Sequence, residues 1–168
     1  QAYNYVIENF DSIYIHEKTK YLYDYCDCIT KNELLLCLKE QPNSIIIAQA
    51  AIESGWGTSR FALEGKNLFG VHTNSNDINK LEANNSSLVF VKKYKNISES
   101  ISHYLRTLAK GYAYQEYRIN RFSNIMPEDL IQFLDIYSER RSLYVDDLKE
   151  IIEYNNLTIY DSLKLKYD

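Results

Sequence analysis

The sequence is poor in the residues that cross-link a chain, break its helices or ligate metals. Its 168 residues include three cysteines, three histidines, five glycines and two prolines. No apolar run approaches the roughly 20 residues that a membrane-spanning helix needs. Charges of one sign form no long run, and the net charge is −4, which does not favour a nucleic-acid partner. Neither an integral membrane protein nor a nucleic-acid-binding protein is therefore indicated.

The cysteines leave several pairings open. The chain has an odd number of cysteines, Cys26, Cys28 and Cys37. At least one thiol therefore stays unpaired if the chain is exported. Cys26 and Cys28 are too close for an easy direct bridge, so we expect free thiols or a bridge to Cys37 from either of them. Only His16 lies nearby, and the spacing fits no zinc pattern. We expect neither a metal nor a cofactor.

The composition is that of an ordinary globular chain. Hydrophobic residues make up 45% and charged residues 25%, and the length is sufficient for a substantial core. We therefore predict a single domain over residues 1–168. The first residues, Gln1-Ala2-Tyr3, lack the basic and apolar regions of a signal peptide, which does not by itself indicate the cytoplasm.

Apolar residues at helical spacing predict helices through most of the chain. The first covers residues 2 to about 16. Thr30 with Glu33, and Asn96 with Glu99, form capping patterns that begin two later helices. Three further residues indicate helix boundaries: Pro42, Gly111 and Pro127.

The segment after Gly70 has a different composition. Residues 71–87 are polar and rich in asparagine, as in a loop or hairpin, and 88–91 form the one convincing strand, which 92–94 extend. Two strands are not stable alone in water, so we expect a small β-hairpin that leans on the helices and forms the second wall of a cleft. The predicted fold class is mainly α, of the α+β type.

The run from Ile45 to Ile52 is apolar nearly all round, with Gln49 as its one polar residue. Such a helix is buried. Glu53 follows, and residues 54–57 end the helix, so a lone carboxyl lies at the C-terminal end of a buried helix. Burial and the helix dipole both disfavour its charged form, as suits a general acid. The alternative is a carboxylate that emerges into solvent as the helix frays.

The stretch QAAIESGWGTSRFALEGKNLFG, residues 49–70, resembles the signature of the glucosaminidase-domain family, glycoside hydrolase family 73, and is most similar to its Bax-like branch. In the family-like segment 137–157, Arg141 stands where we would expect glycine. The resemblance implies a lysozyme-like helical domain with a small β lobe beside the cleft. Three pieces lie in order and at family spacing: residues 53–57, 59–62 and 67–70. The resemblance continues in residues 93–108 and 137–157.

The resemblance also implies catalytic residues. The family's catalytic acid maps onto Glu53. A second carboxylate is implied in the β lobe, where we expect Glu82, with Asp77 and Glu64 as alternatives, unless the substrate's own N-acetyl group takes that role. Tyr104 is implied to face Glu53 and shape the site, unless it is simply a core residue.

Other residues are candidates for binding substrate. The chain has 16 tyrosines, whose rings can stack on sugars but more often belong to the core. Asn67 also has the alternative role of holding the loop after its helix. Arg60 and Arg118 are candidates for contacts with substrate carboxylates, and Tyr117 for the groove. The predicted substrate-binding residues are Ser54, Trp56, Asn67, Phe69, Tyr112 and Tyr114.

The implied activity is that of an endo-β-N-acetylglucosaminidase, a hydrolase that cleaves the glycan strand of bacterial peptidoglycan. A lytic transglycosylase or a muramidase would use the same acid, and a degenerate member would only bind glycan or protein. We expect peptidoglycan strands as the partner, a monomer, and a location in the periplasm or otherwise in the cell envelope.

Overall fold

The structure is a computed structural model that describes residues 2–8, 15–83 and 86–163. It is mainly helical with a small antiparallel sheet, which confirms the predicted fold class. The helices are α1 (Ala2–Glu8), α2 (Ile15–Cys26), α3 (Lys31–Leu38), α4 (Asn43–Ser54), α5 (Arg60–Gly65), α6 (Ile97–Lys110), α7 (Gln115–Phe122), α8 (Pro127–Leu130) and α9 (Ser142–Tyr154). Short 3₁₀ helices cover Tyr112–Tyr114, Ile131–Tyr137 and Leu157–Tyr160.

The chain divides into two compact units. The first unit contains residues 1–41 and 106–145, and the second unit contains 42–105 and 146–168. Two of the three boundaries fall inside α6 and α9, and the third falls just before α4. A single domain over residues 1–168 stays a prediction.

In the first unit, a disulfide joins α2 to α3. Cys26 and Cys37 form the bridge, and Cys28 keeps a free, partly buried thiol. This confirms one of the pairings that the sequence left open. Burial, followed by the nearby Glu33 carboxylate, raises the pKa of the Cys28 thiol. The buried residues around the bridge are Val6, Leu22, Tyr23, Leu34 and Leu35.

The local capping signals act as the sequence predicts. The Thr30 hydroxyl accepts the Glu33 N–H at 3.2 Å, and Glu33 Oε2 accepts the Thr30 N–H at 2.9 Å, which completes a capping box at α3. Before α6, Asn96 Oδ1 accepts the Glu99 N–H at 2.9 Å. The single helix predicted over residues 2–16 differs, because α1 ends at Glu8 and α2 begins at Ile15. Residues 9–14 of that prediction lie outside the described residues.

The second unit is built around α4, whose N-terminus is capped by a residue far along the chain. Pro42 precedes the helix and supplies no side-chain cap. Instead, Asp161 accepts the Ser44 N–H at 2.7 Å and the Ser44 hydroxyl at 2.8 Å. Asn43 Nδ2 donates to the carbonyls of Tyr160 and Leu163. The end of the described chain therefore holds the start of α4.

The sheet has one strand more than the predicted hairpin in the described part of the chain. Its strands β1 (His72–Thr73), β2 (Lys80–Ala83) and β3 (Ser86–Lys92) lie in the order β1-β3-β2, and both pairs are antiparallel. Thr73 pairs with Phe90 on one side and Glu82 with Phe90 on the other. The sequence missed β1 because two residues carry no alternation signal. The predicted strand is otherwise confirmed, although it ends at Lys92.

Two helix junctions of the first unit have features that the sequence indicated. Pro127 occupies the first turn of α8 as predicted, but that helix is a single turn that continues as the 3₁₀ helix Ile131–Tyr137. Arg141, which stands where glycine was expected, has φ +53° just before α9. This is the left-handed region, where a residue with a Cβ is strained.

Candidate active site

Glu53 lies half-buried in the last turn of α4. The helix stops as predicted, because Gly55, Trp56 and Gly57 all have positive φ, at 56°, 56° and 76°. Ser54 fixes this turn: its hydroxyl donates to the Ala50 carbonyl and accepts the Gly57 N–H at 2.7 Å. Ser54 is only 1% exposed. It therefore supports the backbone after Glu53, and its predicted contact with substrate stays a prediction.

Trp56 is presented on that fixed turn. The Trp56 N–H donates to the Ala51 carbonyl at 2.8 Å, and the side chain is 58% exposed. A bulky residue at positive φ is uncommon and persists only where its surroundings hold it. The only tryptophan of the chain is thus displayed to solvent three residues after Glu53.

The buried side of α4 is tied to α6 by a hydrogen bond. The Tyr104 hydroxyl donates to Gln49 Oε1 at 2.6 Å, and both side chains are buried, at 1% and 0% exposure. The Tyr104 ring stacks on Phe69, with centroids 3.9 Å apart and planes 9° apart. Tyr104 and Phe69, predicted as site residues, therefore lie behind the accessible surface. Sequence reasoning noted Gln49 as the one polar residue of the helix but gave it no role.

The Glu53 carboxyl lies against the turn that follows α5. A Cβ at Gly70 would lie 3.5 Å from Glu53 Oε2, which is an ordinary van der Waals distance. The Gly70 φ of +62° is what favours glycine at this position. Asn67 shapes the turn: its amide donates to the carbonyls of Val71 and Lys92, and its Oδ1 accepts the N–H groups of Phe69 and Val71. This is the loop-holding role considered for Asn67, which is 1% exposed. The sequence identifies Gly70 only as the last residue of the motif at 67–70, with no role of its own.

The three acids considered as the second catalytic group have different surroundings. Asp77 accepts hydrogen bonds from the Thr73 hydroxyl, the Asn79 N–H and Lys92 Nζ, which together lower its pKa to about 2. Glu64 pairs with Arg60 at 3.6 Å.

Glu82 is exposed on β2, and its backbone carbonyl accepts a hydrogen bond from the Arg60 guanidinium. Within the described residues its carboxylate makes no hydrogen bond or ion pair. Of the three acids, Glu82 is therefore the one whose carboxylate is left available.

The remaining predicted contacts belong to the first unit. Tyr112 is 89% exposed, and the Tyr114 ring lies 6.2 Å from that of Tyr137. Tyr117 is buried and donates to Gln41 Oε1 at 2.6 Å. Arg118 donates to two backbone carbonyls of its own unit, which gives this cation a structural position.

The described residues contain no group of three or more His, Cys, Asp or Glu side chains placed to hold a metal ion. In the same residues, every helix is too short or too polar to traverse a lipid bilayer.

Comparisons with known proteins agree with this architecture. The model of the glucosaminidase family, described as mannosyl-glycoprotein endo-beta-N-acetylglucosaminidase, matches residues 38–157. The protein bax of Escherichia coli (strain K12) is 31% identical over 90 residues, which are 54% of this chain and 32% of that protein. The crystal structure of the catalytic domain of the autolysin Auto from Listeria monocytogenes has a TM-score of 0.59 and 25% identity, and the match covers 84% of this chain and 88% of that chain.

The chain belongs to the glucosaminidase family, because the family match covers most of its length. Family and fold together are those of a glycoside hydrolase, which confirms the predicted enzyme class and the Bax-like resemblance. The chain spans about a third of the length of the curated relative that it matches.

Proposed function

We propose that the chain is a peptidoglycan hydrolase, an endo-β-N-acetylglucosaminidase that cleaves the glycan strand with Glu53 as general acid. The family match and the autolysin neighbour support peptidoglycan as the substrate. The single observation that carries the choice of acid is the half-buried Glu53 carboxyl at the end of α4, against the Gly70 turn. A helix C-terminus favours the protonated form that a proton donor needs.

Glycosidic cleavage also needs a negative partner for the oxocarbenium-like transition state. We assign this role to Glu82, because its carboxylate is exposed and makes no hydrogen bond or ion pair within the described residues. Asp77 is less suitable since three donors already hold it. The N-acetyl group of the substrate is the alternative, and it would need no second carboxylate.

Exposed aromatic rings are the proposed sugar contacts. Trp56 follows the acid directly on a fixed turn, and its exposed ring offers an apolar face to a sugar. The substrate contacts predicted for Tyr112 and Tyr114, which belong to the first unit, stay predictions. Ser54, Asn67 and Phe69 are proposed to act by holding the backbone of the site.

The same acid would serve a lytic transglycosylase or a muramidase. The masses of the products distinguish these, since a transglycosylase leaves an anhydro sugar and a muramidase leaves MurNAc at the new reducing end. We propose that the protein acts as a monomer in the cell envelope, where its substrate lies.

The test is the release of soluble fragments from purified peptidoglycan by wild type and Glu53→Gln. Loss of a general acid is expected to lower the rate by about 10²–10⁴-fold with the fold intact. Glu153→Gln, the same change at an exposed glutamate of the same unit that is not a candidate site residue, should retain activity. Unchanged activity in Glu53→Gln would remove Glu53 from its role, and an inactive wild type that still binds peptidoglycan would favour the binding-only alternative.

A further inference from the structure

We propose that Gln49, Tyr104 and Phe69, here called the positioning cluster, hold the Glu53 carboxyl in place from the buried side of the second unit. On this proposal Tyr104 affects catalysis through buried contacts and does not touch the substrate. The inference rests on the proposed role of Glu53.

The first link runs along α4. Gln49 and Glu53 are four residues apart, so they lie on the same face of the helix, one turn from each other. Gln49 is fully buried and accepts the Tyr104 hydroxyl at 2.6 Å. A hydrogen bond in such a low-dielectric setting is strong, and a partner left alone there is costly. This bond therefore fixes the last turns of α4 relative to α6.

The second link runs through the Gly70 turn. The Tyr104 ring stacks on Phe69 at 3.9 Å. Phe69 is followed directly by Gly70, where an added Cβ would lie 3.5 Å from Glu53 Oε2. The Phe69 N–H is held by Asn67 Oδ1. These links run from Gln49 through Tyr104 and Phe69 to the Gly70 backbone, beside which the Glu53 carboxyl lies at the end of α4.

The position of Tyr104 argues against direct contact with a sugar. Its side chain is 1% exposed, and its hydroxyl proton is already donated to Gln49. Because a displacement of about 1 Å in a catalytic group can lower a rate by about 100-fold, a residue that only positions Glu53 can still be important for turnover.

A double-mutant cycle tests the proposal. The variants are Gln49→Leu, Tyr104→Phe and their combination, and kcat and KM are measured separately on peptidoglycan. We expect each single variant to lower kcat by about 10–100-fold with KM nearly unchanged. The double variant should be no slower than the slower single variant, because both substitutions break the same contact.

Tyr94→Phe is the matched control. Tyr94 is also buried in the second unit, and its hydroxyl makes a 2.6 Å hydrogen bond to His103 Nδ1, the residue before Tyr104. Its loss should lower stability without a selective fall in kcat. If the two effects multiply in the double variant, Gln49 and Tyr104 act independently, and the proposal is overturned. A KM effect in Tyr104→Phe alone would also overturn it, because it would indicate that Tyr104 contacts substrate. Unchanged kcat in both single variants would show that it is only a core residue.

Two additions keep the test decisive. If Gln49→Leu does not fold, Phe69→Leu takes its place. This substitution replaces the stacked ring with an apolar side chain that has no ring, and it should lower kcat to the same degree.

Amide hydrogen exchange at residues 53–57 and 70 tests the positioning role without turnover. We expect faster exchange, to the same degree, in Gln49→Leu and Tyr104→Phe. Unchanged exchange would overturn the positioning role, whereas an inactive wild type would count against the proposed function alone.

Discussion

The cap that Asp161 provides for α4 leads to a quantitative prediction. Asp161→Ala removes both oxygen atoms that accept hydrogen bonds from Ser44, which is fully buried. The Pro42 side chain has no hydrogen-bond acceptor that could replace them. A lost helix cap costs about 1 kcal/mol, and a buried donor left without its charged partner costs about 1–3 kcal/mol. Because these terms overlap, we expect a total loss of about 2–3 kcal/mol in the free energy of unfolding.

The assay is denaturant unfolding followed by the fluorescence of Trp56, which is the only tryptophan and lies just beyond the other end of α4. In thermal unfolding, the expected loss in the free energy of unfolding corresponds to a fall in Tm of about 4–12 °C for a chain of this size. Asp161→Asn keeps one acceptor, so it should lose about half as much.

Glu153→Ala is the control, because it removes an exposed acid of α9 in the same unit and should change stability by less than about 0.5 kcal/mol. If Asp161→Ala also falls within that limit, the reasoning about the cap is refuted.

Two further predictions concern strain and pH. Arg141→Gly should stabilise the protein by about 0.5–1 kcal/mol, because glycine adopts the observed φ of +53° without strain; thermal unfolding measures this, and a lower Tm would contradict it. Asp77 has a folded pKa of about 2, below its usual 3.8, so its contribution to stability is present above about pH 4 and is lost as the pH falls towards 2. Asp77→Asn should remove that part of the pH dependence of unfolding, and an unchanged profile would count against it.

Much of the candidate site could be predicted from local sequence. The buried helix and its end after Ser54 follow from residues within a few positions of Glu53. The burial of Ser54, Asn67 and Phe69 could not be predicted, because a motif fixes which residues are present and not which side of the backbone faces solvent. The roles of Gly70 and Gln49 could not be predicted for a related reason, because they depend on which residues these two lie against.

The sequence by itself determined the elements whose cause is local. Thr30 with Glu33 and Asn96 with Glu99 satisfy helix N–H groups three residues away, and Gly55 ends α4 because glycine tolerates its φ. Such interactions are written into neighbouring residues, so a pattern is sufficient to find them.

Only the tertiary structure decided the pairings between distant residues. Asp161 reaches Ser44 across 117 positions, Tyr104 reaches Gln49 across 55, and Cys37 bonds to Cys26 in preference to Cys28. Each choice depends on where packing brings two segments together, because a hydrogen bond or a disulfide forms only within a few ångströms.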